Sequence, residues 1–152
     1  MFLAEALIRK AVLKKELDAL EQRMCESARI PHDEEPVDDY LILLDSYHEK
    51  EGELLDISLR IQATNNSAAF KEGETISQAI VRRDSLKRTV SMNNKLLGAA
   101  TSGGRGLFSN RDVKYKRVVD MSMVRTSMDN AAKQYRDLDV KLQQLNWNTE
   151  LL

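Results

Sequence analysis

The sequence predicts an all-α protein in which long antiparallel helical hairpins form a four-helix, coiled-coil-like bundle. Three observations support this fold class. Charged residues make up 31% of the 152-residue chain and aromatic residues only 5%, which is typical of helical proteins. Two Pro and six Gly leave long stretches without a helix breaker. Apolar residues recur at spacings of three and four, which is the period of one helix face.

The sequence pattern of residues 1–63 predicts an acidic helical hairpin. The first helix is expected to run from about residue 2 to residue 28, because Pro31 prevents its continuation. Its apolar stripe has heptad spacing and consists of Leu3, Ala6, Leu13, Leu17, Leu20 and Met24. Pro36 suits the first turn of the second helix, which is expected to end near Ala63.

Residues 64–74 are expected to form a connection, and residues 75–152 a second, basic hairpin. Its first helix begins with the capping-box sequence Thr-Ile-Ser-Gln and is expected to end at Gly98. The stretch 98–112 contains four Gly, which favours a flexible loop. Residues 113–119 alternate imperfectly between apolar and polar, which favours a short extended segment. Both hairpins are assigned to a single helical domain.

The last helix carries the most regular pattern in the chain. Its apolar residues advance in steps of 3-4-3-4-3-4-3, and they are Met121, Val124, Met128, Ala131, Tyr135, Leu138, Leu142 and Leu145. A strict heptad of this length indicates coiled-coil-type packing. We expect it to form an oligomer seam between copies of the chain. A second apolar stripe on the first helix also favours a homo-oligomer, and it consists of Ala4, Ile8, Ala11 and Val12.

The net charge of −1 conceals opposite charges on the two halves of the chain. Residues 1–76 carry 9 Lys and Arg against 17 Asp and Glu, for a net charge of −8. Residues 77–152 carry 14 against 7, for a net charge of +7. The halves can attract each other within one chain or between chains. Residues 82–117 hold ten Lys and Arg, so nucleic acid or an anionic membrane surface is an alternative partner.

Arg83, Asp84 and Lys87 form the candidate binding group. Arg83 falls on the apolar stripe of the third helix, where a guanidinium needs a carboxylate partner or an anionic ligand. The alternatives are an ion pair with another helix or chain and an anion or phosphate site. Asn146 and Trp147 form a second candidate. The single Trp, at the end of the last helix, can anchor an interface, line a pocket or close the end of the bundle.

Five segments stand in a characteristic order along the chain. They read LAEALI at 3–8, EEP at 34–36, IQATN at 61–65, IVRRDSLK at 80–87 and LNWNTEL at 145–151. In this order and spacing they resemble a family of small bacterial proteins labelled septicolysin or septicolysin-like. The resemblance implies an all-helical, oligomeric protein, and the label implies a pore-forming toxin. Arg83, Asp84 and Lys87 lie within the fourth segment.

No residue pattern in the sequence indicates an enzyme. One Cys and two His do not supply a usual zinc site, and we find no nucleophile–base pair or cofactor fingerprint. We therefore expect no catalytic residues, no metal, no cofactor and no small-molecule substrate. The first residues lack the features of a signal peptide, and the longest aliphatic run is Leu41–Leu44, so we expect a cytoplasmic protein.

The sequence thus predicts an oligomeric structural or interaction protein. The first alternative is a membrane-active, pore-forming protein. The second is a protein that binds nucleic acid or another anion through its basic half.

Overall fold

A computed structural model describes residues 1–36, 38–101 and 116–152. Long helices carry the fold, and they are α1 (Leu3–Ser27), α2 (Tyr40–Ser67), α3 (Ile76–Thr101) and α4 (Met121–Asn146). A small antiparallel sheet connects α2 to α3, and its strands are β1 (Ala69–Lys71) and β2 (Glu74–Thr75). The all-α fold class predicted from the sequence is confirmed.

The chain divides into two compact units. Unit 1 consists of Met1–Ile76 and Gln143–Leu152, and unit 2 consists of Ser77–Leu142. Unit 1 contains α1, α2 and the sheet. Unit 2 contains nearly all of α3 and most of α4.

In unit 1, α1 and α2 pack against each other as an antiparallel pair. Two ion pairs define the direction, because Arg9 binds Glu53 whereas Arg23, farther along α1, binds Asp38. The apolar stripe predicted for α1 is buried except for Met24, which is half-buried. The buried residues of α2 are Leu43, Ile57, Ile61 and Thr64. The core of unit 1 therefore lies along the contact between these two helices.

The connection at residues 64–74 differs from the prediction, because it includes a β-hairpin. Lys71 pairs with Glu74 across a two-residue turn. Gly73 in this turn has a φ of +73°, a conformation that glycine adopts without steric cost. The Glu72–Gly73 dipeptide was the available signal, since a polar residue followed by Gly favours a tight turn.

Residues near both ends of the sequence meet in unit 1. The amide of Leu3, the first residue of α1, donates a hydrogen bond to the carbonyl of Thr149 at 2.8 Å. Leu152 donates its amide to Thr64 Oγ1 at 3.0 Å, and its carbonyl accepts from Arg60 Nε at 2.8 Å. These bonds satisfy one of the free amides at the start of α1 and hold residues 149–152 against α2.

In unit 2, α3 and α4 are also antiparallel. Arg83 contacts Asp139, while Asn93, farther along α3, contacts Ser127, which comes earlier on α4. The buried residues on α4 are Ala131, Leu138 and Leu142. They belong to the heptad stripe predicted from the sequence, so that stripe forms part of the core.

Three helix ends differ from the sequence-based prediction. The first is the end of α2, which lies at Ser67 and not near Ala63. α2 begins at Tyr40 and not at Pro36, because Asp39 caps it by accepting a backbone N–H through its side chain at 2.9 Å. α3 continues through Gly98 as far as Thr101. An isolated Gly costs a helix only about 1 kcal/mol, which is too little to end it here.

Two further predictions fall partly outside the described residues. Of the predicted loop 98–112, residues 98–101 belong to α3, and the remainder is not described. Of the predicted extended segment 113–119, residues 116–119 contain no strand, and residues 113–115 are not described.

Candidate functional site

The contact between α3 and α4 contains two polar residues at positions of the apolar stripe. On α3 this stripe includes Ile76, Ala79, Leu86, Val90 and Leu97, and Arg83 and Asn93 occupy positions in the same heptads. Asn93 is only 3% exposed, and its Nδ2 donates a hydrogen bond to Ser127 Oγ at 3.2 Å. Asn93 was not among the residues predicted from the sequence, although it follows Leu86 by seven residues.

Arg83 forms ion pairs within unit 2. Its Nη2 donates to Asp84 Oδ1 at 2.9 Å, and its Nη1 donates to Asp139 Oδ1 on α4 at 3.4 Å. Partial burial by itself would lower the pKa of Arg83. The hydrogen bonds to Asp84 and the charges of both carboxylates outweigh that effect and raise the pKa above its usual value. Arg83 therefore meets protein carboxylates, as in the ion-pair interpretation.

A groove opens beside this ion pair, along the same two helices. Its volume is about 520 Å³. The lining residues are Lys87, Val90, Ser91, Asn94, Lys95, Ala132, Tyr135 and Arg136. Half-buried Val90, Ala132 and Tyr135 form an apolar floor, and the exposed cations Lys87, Lys95 and Arg136 surround it. None of these eight lining residues is acidic.

The groove and the ion pair share one helix face. Lys87 follows Arg83 by one helical turn, so the two cations lie on the same side of α3. Tyr135 lines the groove and also lies near Arg83. In the structure, the predicted group of Arg83, Asp84 and Lys87 therefore does not form a single site. Arg83 and Asp84 pair with each other, and Lys87 contributes to the groove.

Comparison with protein families places this chain among its relatives. The model of a family of unknown function, DUF6847, matches residues 10–151. The chain belongs to DUF6847.

A solved structure is similar to this DUF6847 chain over its whole length. It is described as the crystal structure of a functionally unknown conserved protein from Corynebacterium diphtheriae. The sequences are 32% identical, the TM-score is 0.92, and the match covers 100% of this chain and 99% of that chain. No curated protein matches. The resemblance to septicolysin-like proteins stays a prediction.

The residues predicted as an oligomer seam are covered within this single DUF6847 chain. Leu138 and Leu142 are buried. The others are half-buried, and they are Met121, Val124, Met128, Tyr135 and Leu145. The stripe is therefore used for packing inside the chain, and its use between copies stays a prediction.

The second predicted group belongs to a different part of the DUF6847 fold. Asn146 and Trp147 lie in unit 1, whereas Arg83 and Lys87 lie in unit 2. Asn146 is half-buried, and Trp147 is 55% exposed. With more than half of its surface in solvent, Trp147 does not close a packed core within this chain.

The predicted nucleic-acid and membrane partners involve other parts of the DUF6847 chain. Residues 102–115 of the basic stretch 82–117, predicted to bind nucleic acid, lie outside the described residues. Among the described residues, no helix combines the length and the apolar character needed to cross a bilayer.

Proposed function

We propose that this protein is a binding protein and not an enzyme, and that its α3–α4 groove holds an anionic partner that also presents an apolar surface. The observation that carries the proposal is the composition of the groove. Three exposed cations surround an apolar floor, and no acidic residue lines it.

The two parts of the groove have different roles in binding. The apolar floor gains free energy when a ligand removes it from water, at about 25 cal/mol per Å² of apolar surface. Lys87, Lys95 and Arg136 attract the negative charge of the partner and orient it. A cavity of about 520 Å³ is large enough for an organic ligand or for the side chains of a docked helix.

The net charge of unit 2 also favours an anionic partner. Unit 2 carries 14 Lys and Arg against 6 Asp and Glu, for a net charge of +8. Arg83 is already paired with Asp84 and Asp139, so the groove cations are the charges best placed for an external anion. Such a field accelerates the encounter with an anion and weakens as salt is added.

The experiment uses 1-pyrenebutyrate, a fluorescent carboxylate with an apolar ring system, and its uncharged analogue 1-pyrenebutanol. We expect the full chain to bind the carboxylate at least tenfold more tightly than the alcohol in low salt. The K87E/R136E variant reverses two groove charges and should lose this preference.

K14E/K15E is the matched control, because it makes the same change of charge at exposed positions on α1. It should bind the carboxylate as the unchanged chain does. Equal binding of carboxylate and alcohol, or equal loss in both variants, would contradict the proposal.

A further inference from the structure

The outward side of α2 carries exposed leucines among carboxylates. Leu55 is 59% exposed and Leu59 is 57% exposed. They are four residues apart and so lie on one side of the helix. Glu51 precedes Leu55 by one turn and is exposed. Asp56 follows Leu55 directly and is also exposed, with one carboxylate oxygen 3.9 Å from Arg60 Nη1. Together the two leucines form a small exposed apolar patch, which is removed from water when a partner covers it.

The same side of α2 permits close approach by another helix. Gly52 precedes Leu55 by three residues and Leu59 by seven, so it lies on the same side of the helix. A Cβ built at Gly52 meets no other atom within 4 Å, so the helix has a shallow notch there. We call the surface of Glu51, Gly52, Leu55, Asp56 and Leu59 the acidic leucine face.

The acidic leucine face and the α3–α4 groove have complementary chemistry. One presents apolar side chains beside carboxylates, and the other presents an apolar floor beside cations. The units that carry these two surfaces also differ in net charge. Unit 1 carries 9 Lys and Arg against 18 Asp and Glu, for a net charge of −9, whereas unit 2 carries +8. Opposite fields of this size favour association between copies at low salt.

We infer that the partner held by the groove is a second copy of this chain, docked through its acidic leucine face. This inference rests on the proposed function of the groove and names its occupant. Leu55 and Leu59 pack on the apolar floor, and the carboxylates of Glu51 and Asp56 approach Lys87, Lys95 and Arg136. The contact joins two different surfaces, so it is head-to-tail and leaves one free groove and one free face on each dimer unless a ring closes.

The α4 stripe is not needed for this assembly. Leu138 and Leu142 are buried within one chain, whereas Leu55 and Leu59 are exposed. Burying the exposed pair against a second copy gains free energy without opening the core of either chain.

The first measurement is native mass by light scattering on a sizing column, over a range of protein concentrations. The unchanged chain should have at least twice the mass of one chain in low salt and should approach the mass of one chain in 1 M salt. L55K/L59K, which disables the face, and K87E/R136E, which disables the groove, should each have the mass of one chain.

The decisive measurement is a mixture of the two variants. L55K/L59K keeps its groove and K87E/R136E keeps its face, so an equimolar mixture should form a complex of twice the single-chain mass. I8K/V12K introduces two lysines at exposed apolar positions on α1 and should assemble like the unchanged chain. If circular dichroism shows that L55K/L59K has lost helix, the single change E51K replaces it. K95E replaces K87E/R136E in the same case.

Two outcomes would overturn the inference. One is a single-chain mass for the unchanged protein at every concentration, and the other is a mixture of variants that does not associate. Binding of 1-pyrenebutyrate separates the two proposals. If the chain stays single but K87E/R136E still loses the probe, the groove binds an anion and a second copy is not its occupant.

Discussion

The two helix pairs of this chain differ in what fills the contact between them. On α1 every buried residue is apolar, and charged residues such as Arg9 and Glu53 pair at the margin of the contact. On α3 the stripe includes Asn93, which is buried, and Arg83, which is half-buried. Thr64 on α2 is also buried, but its hydroxyl donates to the carbonyl of Arg60 in the same helix and accepts from the amide of Leu152. The polar groups of α3 thus bond across their helix pair to Asp139 and Ser127, whereas these bonds of Thr64 do not reach α1.

This difference indicates different demands on the two helix pairs. An apolar contact contributes the most stability, but apolar side chains tolerate small shifts along the helices. A buried amide and a guanidinium must find their partners, so they select one register. The register matters more in α3–α4, because the groove exists only where Val90 and Lys87 lie opposite Tyr135 and Arg136.

The largest expected effect tests the apolar pair. Leu13 on α1 is fully buried, so Leu13→Ala should lower the free energy of unfolding by about 2–5 kcal/mol, through lost burial and the cavity left behind. Urea unfolding followed by circular dichroism measures it. Leu7→Ala, at an exposed position on the same helix, should cost only about 0.5 kcal/mol. Equal losses would mean that the α1–α2 contact is not the core of unit 1.

The next effect tests the ion pair in α3–α4. Arg83→Met removes hydrogen bonds to Asp84 and Asp139 and should lower the free energy of unfolding by about 1–2 kcal/mol. The double variant R83M/D139N should lose less than the sum of its single changes, because the two residues interact. Arg88→Met on the same helix is the control, at an exposed position. Strict additivity would argue against the Arg83–Asp139 contact.

The buried amide of Asn93 is tested by two substitutions, whose smaller effects on stability have opposite signs. Asn93→Ala should destabilise the chain by about 1 kcal/mol, since it removes a hydrogen bond and leaves a gap. Asn93→Leu fills the same space with an apolar side chain and should raise the urea midpoint, because Ser127 is exposed and can bond to water instead. The same variant should weaken 1-pyrenebutyrate binding if the amide fixes the register of the groove. A stabilised variant with unchanged binding would remove that role.

The smallest effect concerns acid. Hydrogen bonds from Arg9 and Arg23 lower the pKa values of Glu53 and Asp38. A carboxylate with a lowered pKa in the folded state stabilises the fold above its ordinary pKa of about 4, and this contribution is lost as the pH falls through the folded value. The thermal midpoint should therefore fall with pH below about 4. Arg9→Gln should make this fall shallower, and an unchanged slope would mean that the Arg9–Glu53 pair adds no stability.

Much of the fold could be predicted because the helical pattern is local. The steps of three and four along α4 predicted a helix ending near Leu145, and the helix ends at Asn146. Helix starts were harder, since both Pro36 and Asp39 are favourable start signals and only the capping bond of Asp39 decides between them. The β-hairpin around Gly73 is too short to leave a periodic pattern.

The groove could be predicted only in part. Lys87 was recognised through its neighbour Arg83, but Lys95 and Arg136 were not, because nothing in a linear pattern tells which residues of α3 and α4 face each other. That pairing depends on the register between two helices separated by some twenty residues of chain. Polar contacts between the two helices, such as that of Asn93 with Ser127, become visible only in three dimensions.

The return of the chain to unit 1 at Gln143 has a consequence for folding during synthesis. The ribosome makes α1 and α2 before unit 2, yet the carbonyl of Thr149, which the start of α1 needs, is made only after unit 2. Unit 1 is therefore completed only after the whole of unit 2 is translated, and the bonded residues Leu3 and Thr149 are 146 residues apart in sequence. Contacts of this kind form slowly, because a long loop must close first. We expect a chain stalled before residue 143 to hold a hairpin whose first turn is still open to solvent.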